Sequence, residues 1–523
     1  MKFPLIVSSI FVLVSAAFAA TDHRIVLVVW DGMRPDFISA ETTPNLWRLA
    51  GEGVFFAHHH PVYLSSTEVN GTALATGAWP AHSGIIANDD FRPAIDPQKA
   101  VATQEPAVVR KGDDVTSGHY LGRPTVAELL HARARSTAIA GAKNVTLLHD
   151  RAARDAGPGV SPVLHQGETL LVSVGLGLVQ TLGEFPKTSA RDDKFARDDW
   201  TTQALIGELW KTEVPAYSLL WLAEPDNSQH ATGPGSPQSL EAIRNSDTNL
   251  GLILAEIVRR GLRETTDVLV VSDHGFSTIN RKVDVAAELS VAGFDAKRVA
   301  LGGLKSGEVL VVSNGGSSLF YVGGHDAEVT ARLTTYLQQQ DWAGVIFSRG
   351  GGEGTFALAD ARIDSPGAPD LVVSLRWTRG KSAAGTPGLL ASDLSAVSKK
   401  IGNHASLSAY DMHNTLVAEG PDFRRGVSDP LPSSNMDVAP TILWLLGLKE
   451  EALKMDGRVL GEALTVEAPA LQSLNLVRLD ARRAVGGGGW SQYLQVSEVN
   501  GERYLDEGNG AFSPAPGLVP ENK

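Results

Sequence analysis

The sequence contains no cysteine among its 523 residues, and this absence excludes several kinds of site. Without thiols the chain forms no disulfide, no cysteine-liganded metal site and no cysteine nucleophile. Basic residues are also in deficit: 46 Lys and Arg against 59 Asp and Glu give a net charge of −13. A general nucleic-acid-binding protein needs a basic surface, so this balance argues against one. A small anionic substrate stays compatible, because a bound metal ion inverts the local charge.

Long apolar runs are scarce as well, and the one candidate lies at the N-terminus. Residues 1–20, MKFPLIVSSIFVLVSAAFAA, contain one Lys, a short apolar stretch and the small-residue sequence Ala17-Phe18-Ala19. This pattern is typical of a secretory signal peptide; a membrane anchor is the alternative, although the run is short for one. We therefore expect a signal peptide at 1–19, no transmembrane segment in the mature chain, and export to a periplasm or to the cell exterior.

Four apolar, β-branched runs predict buried parallel strands, at 24–30, 136–142, 216–223 and 267–272. Helical patterns separate them. The clearest of these helices has Ser236 as a cap and ends at Gly261. Strands that alternate with helices indicate an α/β fold, with a mainly parallel central sheet flanked by helices on both faces.

The other segments are predicted to be additions to one catalytic domain, residues 20–465. Residues 89–125 lack strong periodicity, and residues 280–365 include a predicted β-hairpin, so both are expected to be excursions over the site. The Gly-rich stretch 485–490 is expected to be a flexible joint in a small C-terminal tail, 466–523.

Carboxylates and imidazoles directly follow three of the predicted strands. They are Asp31 after the first, Asp226 and His230 after the third, and Asp273 and His274 after the fourth. Each alone is explained as a turn residue or a helix cap. In open α/β sheets, however, ligands bind at the carboxyl ends of the strands, so these side chains are expected to meet. Three close carboxylates repel each other unless cations lie among them, and imidazole mixed with carboxylate suits zinc. More than four ligands indicate two metal ions, which can hold the attacking and leaving oxygens of a displacement.

Seven segments, in this order along the chain, resemble the nucleotide pyrophosphatase/phosphodiesterase (type I phosphodiesterase) branch of the alkaline phosphatase superfamily. They are VVWDGMRPDF, TPNLWRLAGEGVFF, LSSTEVNGTALATGAWPAHSGI, LAEPDNSQHATGP, VVSDHGFS, GNHASLSAYDMHNTLVAEGPDF and MDVAPTILWLLG. Together they extend from about residue 24 to about residue 464. The resemblance implies an alkaline-phosphatase-like fold and hydrolysis of phosphodiester or pyrophosphate bonds in a small phosphate-ester substrate. It also implies a two-zinc site and a phosphothreonine intermediate.

The resemblance also assigns roles to single residues. It places the nucleophile at Thr67 and the amide that helps to hold a phosphate oxygen at Asn70. Thr67 lies in a hydroxyl-rich stretch that also predicts a helix N-terminus, where N–H groups and the helix dipole favour an anion. One zinc ion would be bound by Asp31, Thr67, Asp273 and His274, and the other by Asp226, His230 and a later histidine. Three carboxylates and one alkoxide then balance the charge of two Zn²⁺.

The later histidine has two candidates, His404 and His413. His404 lies in a loop that corresponds to the place of the family's ligand. His413 is expected in the strand that follows, where the pleat sets the direction of its side chain. His404 is therefore favoured.

The chain departs from the family pattern beside the nucleophile. Glu68 and Val69 stand where an aromatic residue and a proline are common, and Gly71 stands where a histidine often follows the asparagine. Because that aromatic ring commonly stacks on a nucleobase, a preference for nucleotides is not implied. Glu68 is expected to face solvent, with a place in the pocket as the alternative. The three histidines at 58–60 are expected to lie outside the metal sites.

Two other functions remain open. The near alternative is another activity of the superfamily: phosphomonoester or phosphonate hydrolysis, or a phosphomutase. A sulfatase is disfavoured, because its usual modified cysteine cannot exist here. The far alternative is a secreted, non-catalytic binding protein on this scaffold, which predicts gaps among the metal positions; the sequence has none. The oligomeric state is not predicted.

Overall fold

The computed structural model of this chain describes residues 23–151, 161–187, 195–469 and 474–515. The predicted signal peptide lies outside the described residues. Within these ranges, no helix combines the length and the apolar character needed to cross a membrane.

A nine-stranded sheet forms the centre of the fold. Its strands, in order across the sheet, are Val427–Ser434, Val54–His60, Leu416–Glu419, Thr266–Val271, Arg24–Trp30, Tyr217–Leu222, Thr137–Gly141, Val163–His165 and Glu168–Thr169. Most neighbouring strands are parallel; Leu416–Glu419 and the edge strand Glu168–Thr169 run antiparallel to their neighbours. The predicted α/β class with a mainly parallel central sheet is confirmed, and all four predicted strands are present.

The sheet is covered by helices on both faces, because its central strand is apolar on both sides. Every residue of Arg24–Trp30 after Arg24 is buried. Ile25, Leu27 and Val29 belong to one core cluster, and Val26, Val28 and Trp30 belong to another. Helices of the first layer are Thr67–Thr76, Val126–His131 and Asn435–Leu445; those of the second are Pro44–Glu52, Val172–Leu182, Ala196–Ala204 and Pro237–Arg259. Ser236 caps the last of these, as predicted, by accepting a hydrogen bond from the Ser239 N–H.

Further sheets include the segments predicted as excursions and extend past residue 365, the predicted end of the second one. Residues 89–125 contain a two-stranded ribbon and the helix Pro106–Thr116. The later excursion forms a six-stranded sheet in which Val309–Ser313 and Ser317–Val322 make the predicted hairpin. Its other strands are Ala296–Lys297, Ala343–Ser348, Phe356–Ala357 and Leu371–Leu375. A four-stranded sheet is formed by Ser277–Val283, Trp377–Lys381, Pro387–Asp393 and Gly402–Asn403.

The C-terminal part of the chain forms a three-stranded antiparallel sheet. Its strands are Leu474–Val485, Gly488–Val499 and Glu502–Pro514. The expectation of a flexible joint at 485–490 is therefore wrong: Val485 pairs with Gly488, and the two residues between them form a tight turn. Gly487 adopts φ +82°, which glycine reaches without steric cost. The domain boundaries at 19 and 465 stay predictions.

This C-terminal sheet is bonded to the remainder of the molecule. The side chain of Gln492 accepts from the Ile346 N–H at 2.8 Å and donates to the Ile346 carbonyl at 3.0 Å. The indole of Trp377 donates to the Gly508 carbonyl at 2.7 Å, and the Gly508 N–H donates to the carbonyl of Leu407 at 2.9 Å. The last strand thus holds the loop that also contains His404.

Candidate active site

The carboxylates that follow the strands meet at one edge of the central sheet. Asp31 follows Arg24–Trp30, Asp226 begins the short helix after Tyr217–Leu222, and Asp273 follows Thr266–Val271. These three strands are adjacent and parallel, so their carboxyl ends lie side by side. All three carboxylates are buried.

Three imidazoles are oriented towards these carboxylates by backbone carbonyl groups. The Nδ1 atoms of His230, His274 and His404 lie 2.9, 2.9 and 3.0 Å from the carbonyl oxygens of Gly402, Gly275 and Ser65. A carbonyl only accepts, so each Nδ1 carries the hydrogen and each Nε2 offers its lone pair to the site. Metal-binding histidines are typically held in this way.

The imidazoles and carboxylates form two overlapping groups. The Nε2 atoms of His230 and His404 lie 3.3 and 3.5 Å from Oδ1 of Asp226. The Nε2 atom of His274 lies 3.6 Å from Oδ1 of Asp31 and 3.3 Å from Oδ2 of Asp273. Within each of the sets Asp226–His230–His404 and Asp31–Asp226–His274, one atom per residue lies within 4.8 Å of the others, so each set could hold a metal ion.

Three carboxylate oxygens in these groups are buried without a hydrogen-bond partner in the described part of the chain. They are Oδ1 of Asp31, Oδ1 of Asp226 and Oδ2 of Asp273. A buried, unpaired anionic oxygen is costly, and a cation among them would remove that cost. Imidazole nitrogens mixed with carboxylate oxygens are the donors that zinc accepts. The residues present therefore fit metal ions of this kind.

A lysine that the sequence analysis missed lies between the two groups. The Nζ atom of Lys143 is 2.8 Å from Oδ2 of Asp31 and 2.7 Å from Oδ2 of Asp226. Burial, together with the charge of Asp273, raises the pKa of Asp31 well above its usual range. Burial also opposes ionisation of Asp226, but the Lys143 ammonium and His230 outweigh it and hold the pKa of Asp226 well below its usual range. Lys143 closely follows the strand Thr137–Gly141. Its position after a strand could therefore have predicted that it belongs to the site.

Thr67 is the first residue of the helix Thr67–Thr76 and faces the site. Its Oγ1 lies 3.3 Å from Nε2 of His274. Ser66 occupies the N-cap position with an extended backbone, yet its hydroxyl makes no capping hydrogen bond. Ser66 therefore uses none of the first-turn N–H groups of this ten-residue helix; the Glu68 N–H bonds to Asn88, and the positive end of the helix still faces an anion beside Thr67.

Asn70 makes hydrogen bonds that do not fit the role expected of it. Its Oδ1 accepts from the Val62 N–H at 2.8 Å and from Nδ2 of Asn435 at 3.0 Å. Its Nδ2 donates to the carbonyl groups of Val62, Leu64 and Ser66, each at 3.1 Å. Both amide hydrogens are used by the loop that precedes the helix. The expectation that Asn70 holds a phosphate oxygen is therefore corrected: its bonds make it a support of the nucleophile loop.

Asn88 is an amide beside Thr67 that the sequence analysis missed. It lines the same cavity as Thr67, and its Oδ1 accepts from the Glu68 N–H at 3.1 Å. This bond fixes the amide oxygen, so the amide nitrogen is left for a ligand. Its position directly after the buried run Ile85–Ala87 was the only sequence signal.

A cavity of about 480 Å³ opens in front of Thr67, and Glu68 is part of its wall. Only 3% of Glu68 is exposed, so the expectation that it faces solvent is wrong. Burial raises the pKa of Glu68 to about 8. The loop that carries Asn88 bonds to the Glu68 N–H, a tertiary contact that the local sequence does not reveal.

His413 lies apart from the metal-binding groups. Its Nε2 is 3.0 Å from the Ala57 carbonyl, and its ring lies 6.3 and 6.2 Å from the rings of His58 and His60. It precedes the strand Leu416–Glu419, whereas it was expected within that strand. The histidines at 58–60 are outside both groups as well.

Comparison with known proteins identifies relatives of the chain. Residues 25–378 match the family model of type I phosphodiesterase / nucleotide pyrophosphatase. Ectonucleotide pyrophosphatase/phosphodiesterase family member 7 of Rattus norvegicus is 24% identical over 268 residues, which are 51% of this chain and 53% of the relative. Family member 5 of Homo sapiens is 22% identical over 255 residues, 49% of this chain and 45% of the relative. The chain thus spans about half the length of these relatives.

A solved structure supports the fold over a longer part of the chain. Murine ectonucleotide pyrophosphatase / phosphodiesterase 5, an inactive variant in complex with AMP, matches with a TM-score of 0.56 and 17% identity. The match covers 82% of this chain and 95% of that one.

Proposed function

Because this chain belongs to the type I phosphodiesterase / nucleotide pyrophosphatase family, we propose that it is a hydrolase of phosphodiester or pyrophosphate bonds. We propose further that it is exported, as its N-terminal sequence suggests, and that it uses two zinc ions and a threonine nucleophile. One observation carries the proposal: three buried carboxylate oxygens, without hydrogen-bond partners among the described residues, face three imidazole Nε2 atoms next to a hydroxyl at a helix N-terminus.

The proposed ligands divide between the two ions as the resemblance implies. Asp31, Thr67, Asp273 and His274 would hold one ion, and Asp226, His230 and His404 would hold the other. When bound, the two ions supply positive charge and Lewis acidity at the reacting phosphate.

The residues of the chain then perform the displacement. The Thr67 hydroxyl releases its proton to solvent and its oxygen attacks phosphorus; the new bond forms as the bond to the leaving oxygen breaks, the leaving group takes up a proton from water, and a water molecule later cleaves the phosphothreonine. The helix N-terminus and the free amide nitrogen of Asn88 donate hydrogen bonds to phosphate oxygens. Asn88 takes the role that the sequence analysis gave to Asn70.

The test compares metal-stripped protein with protein reloaded with Zn²⁺ or Mg²⁺, on a panel of p-nitrophenyl mono- and diesters. We expect no hydrolysis after chelation, recovery with Zn²⁺ above that with Mg²⁺, and a higher kcat/KM for diesters. Full activity without metal contradicts the two-zinc site. A preference for monoesters or phosphonates supports the near alternative, and zinc binding without any turnover supports the non-catalytic one.

A further inference from the structure

Two oxygen atoms in the cavity wall beside Thr67 have no hydrogen-bond donor. They are Oε2 of Glu68 and Oε1 of Gln104, and both are buried without a partner in the described part of the chain. The Glu68 backbone is held by Asn88, which keeps the Glu68 side chain at the wall next to the nucleophile. Gln104 comes from the excursion over the site, so two different segments each contribute to the wall of one cavity a side chain with an unpartnered oxygen.

Polar oxygens without a hydrogen-bond partner are costly in a buried site, and a ligand that bonds to them removes this cost. Apart from Glu68, the charged side chains that line the same cavity are three cations, Lys143, Arg197 and Lys400, and two acids, Asp89 and Asp226. Asp226 is paired with Lys143 at 2.7 Å, so Arg197 and Lys400 outnumber Asp89 among the others, and this excess of positive charge disfavours a ligand whose donor is a second cation, such as an ammonium group. A neutral hydroxyl avoids that repulsion, and because it both donates and accepts, it can bond to the Gln104 oxygen and to the Glu68 carboxyl with or without a proton.

The wall also lacks what an aromatic or quaternary group needs. Among the described residues that line the cavity, none is Phe, Tyr or Trp. A nucleobase therefore has no aromatic ring to stack on, and a quaternary ammonium has no aromatic cage. The cavity of about 480 Å³ is large enough for one small polar group beside the phosphate.

We propose that Glu68, assisted by Gln104, selects phosphate esters whose second organic group carries neutral hydroxyls, such as a sugar, glycerol or another polyol. Glu68 is thus a specificity-determining residue, and the inference rests on the proposed function. A site that hydrogen-bonds a substrate hydroxyl discriminates strongly against an analogue that lacks it, because its own polar groups are then left unpaired.

The experiment uses two diesters with the same leaving group and the same chain length. They are p-nitrophenyl glycerol phosphate and p-nitrophenyl propyl phosphate, assayed with the zinc-loaded protein; p-nitrophenyl 2-aminoethyl phosphate is the third substrate. We expect the wild type to prefer the glycerol ester over the propyl ester by about 10- to 100-fold in kcat/KM, the range of one or two hydrogen bonds to a polar or charged group. The aminoethyl ester should fall below the glycerol ester.

The variants separate a role in selectivity from a role in structure. Glu68→Ala should bring the glycerol-to-propyl ratio close to one, and Glu68→Gln, which keeps an acceptor oxygen, should retain part of the ratio. Glu105→Gln is the matched control, because Glu105 is an exposed acid next to Gln104 and does not line the cavity. A wild-type ratio near one, a ratio unchanged in Glu68→Ala, or a preference for the aminoethyl ester overturns the inference.

A binding measurement distinguishes failure of this inference from failure of the proposed function. Calorimetric titration of zinc-loaded Thr67→Ala protein with glycerol 1-phosphate and with propyl phosphate does not depend on turnover. Tighter binding of glycerol phosphate, lost on adding Glu68→Ala, supports the selectivity even if no diester is hydrolysed. Equal binding of both compounds refutes it while leaving any observed hydrolysis in place.

Discussion

Replacing Lys143 by methionine should destabilise the metal-free protein much more than the zinc-loaded protein. The Lys143 ammonium lies within 2.8 Å of one oxygen of Asp31 and one of Asp226, and both carboxylates are buried. Methionine has a similar length and no charge. The substitution therefore removes the cation and its two hydrogen bonds while it keeps most of the side-chain packing.

The size of the effect follows from the burial of the pair. Removal of one partner from a buried ion pair costs about 3 to 5 kcal/mol, since the other charge is left without compensation. The raised pKa of Asp31 lets that carboxyl take up a proton, which places the expected loss near the lower end, about 3 kcal/mol. Two divalent ions bring their own positive charge to the same carboxylates. With zinc bound, the loss should therefore fall to about 1 kcal/mol or less, the worth of a neutral hydrogen bond.

Urea unfolding, followed by circular dichroism in EDTA and in excess Zn²⁺, measures both values. Lys211→Met is the control, because Lys211 is 70% exposed and its contact with Glu208 at 3.4 Å is a surface ion pair. Equal losses for Lys143→Met with and without zinc, or a loss below about 1 kcal/mol in EDTA, would refute the view that lysine and metal ions neutralise the same carboxylates.

Other predictions concern the site and its surroundings. Thr67→Ala should keep the circular dichroism spectrum and lose most turnover, whereas Thr67→Ser keeps part of it; wild-type turnover in the alanine variant would exclude Thr67 as the nucleophile. His404→Ala should lose one zinc per chain by metal analysis and His413→Ala should lose none; the opposite result reverses the assignment. Asn88→Ala should lower kcat/KM by about 10-fold or more, as expected for one lost hydrogen bond to a charged oxygen, and an unchanged value would exclude that bond. Burial lowers the pKa of His413 from 6.5 to about 4, so the stability it contributes is complete above pH 6.5 and is lost as the pH falls towards 4. His413→Gln should therefore reduce the loss of unfolding free energy between pH 7.5 and pH 5 by about 2 kcal/mol; identical pH profiles would contradict this.

The sequence predicted the sheet and most of the site because both depend on short-range rules. A buried parallel strand is a continuous apolar run, and the residues that follow such runs gather at one sheet edge. Asp31, Asp226 and Asp273 could be found in this way, and the structure brings them together. Lys143 obeys the same rule, but an amine after a strand does not by itself indicate a metal site, since metal ligands here are carboxylates and imidazoles.

The residues whose roles the sequence did not predict depend on contacts between segments that are distant in sequence. Asn70 and Asn88 have the same side chain, and only the fold decides that one amide is used by the loop before the helix while the other faces the cavity. Glu68 is polar and stands beside a catalytic candidate, so nothing local indicates that later segments bury it. The turn at Gly487 resembles a linker in composition, and the paired strands on either side make it a hairpin.

The hydrogen bond from Gly508 to Leu407 affects when, during synthesis of the chain, one loop of the site acquires its contacts. Leu407 lies three residues after His404, and its partner belongs to a strand that leaves the ribosome much later. Until that strand docks, the carbonyl of Leu407 and the indole of Trp377 both lack the groups that hold them. The loop of the last proposed metal ligand, His404, therefore gains its full set of hydrogen bonds only after the final strand of the chain has been made.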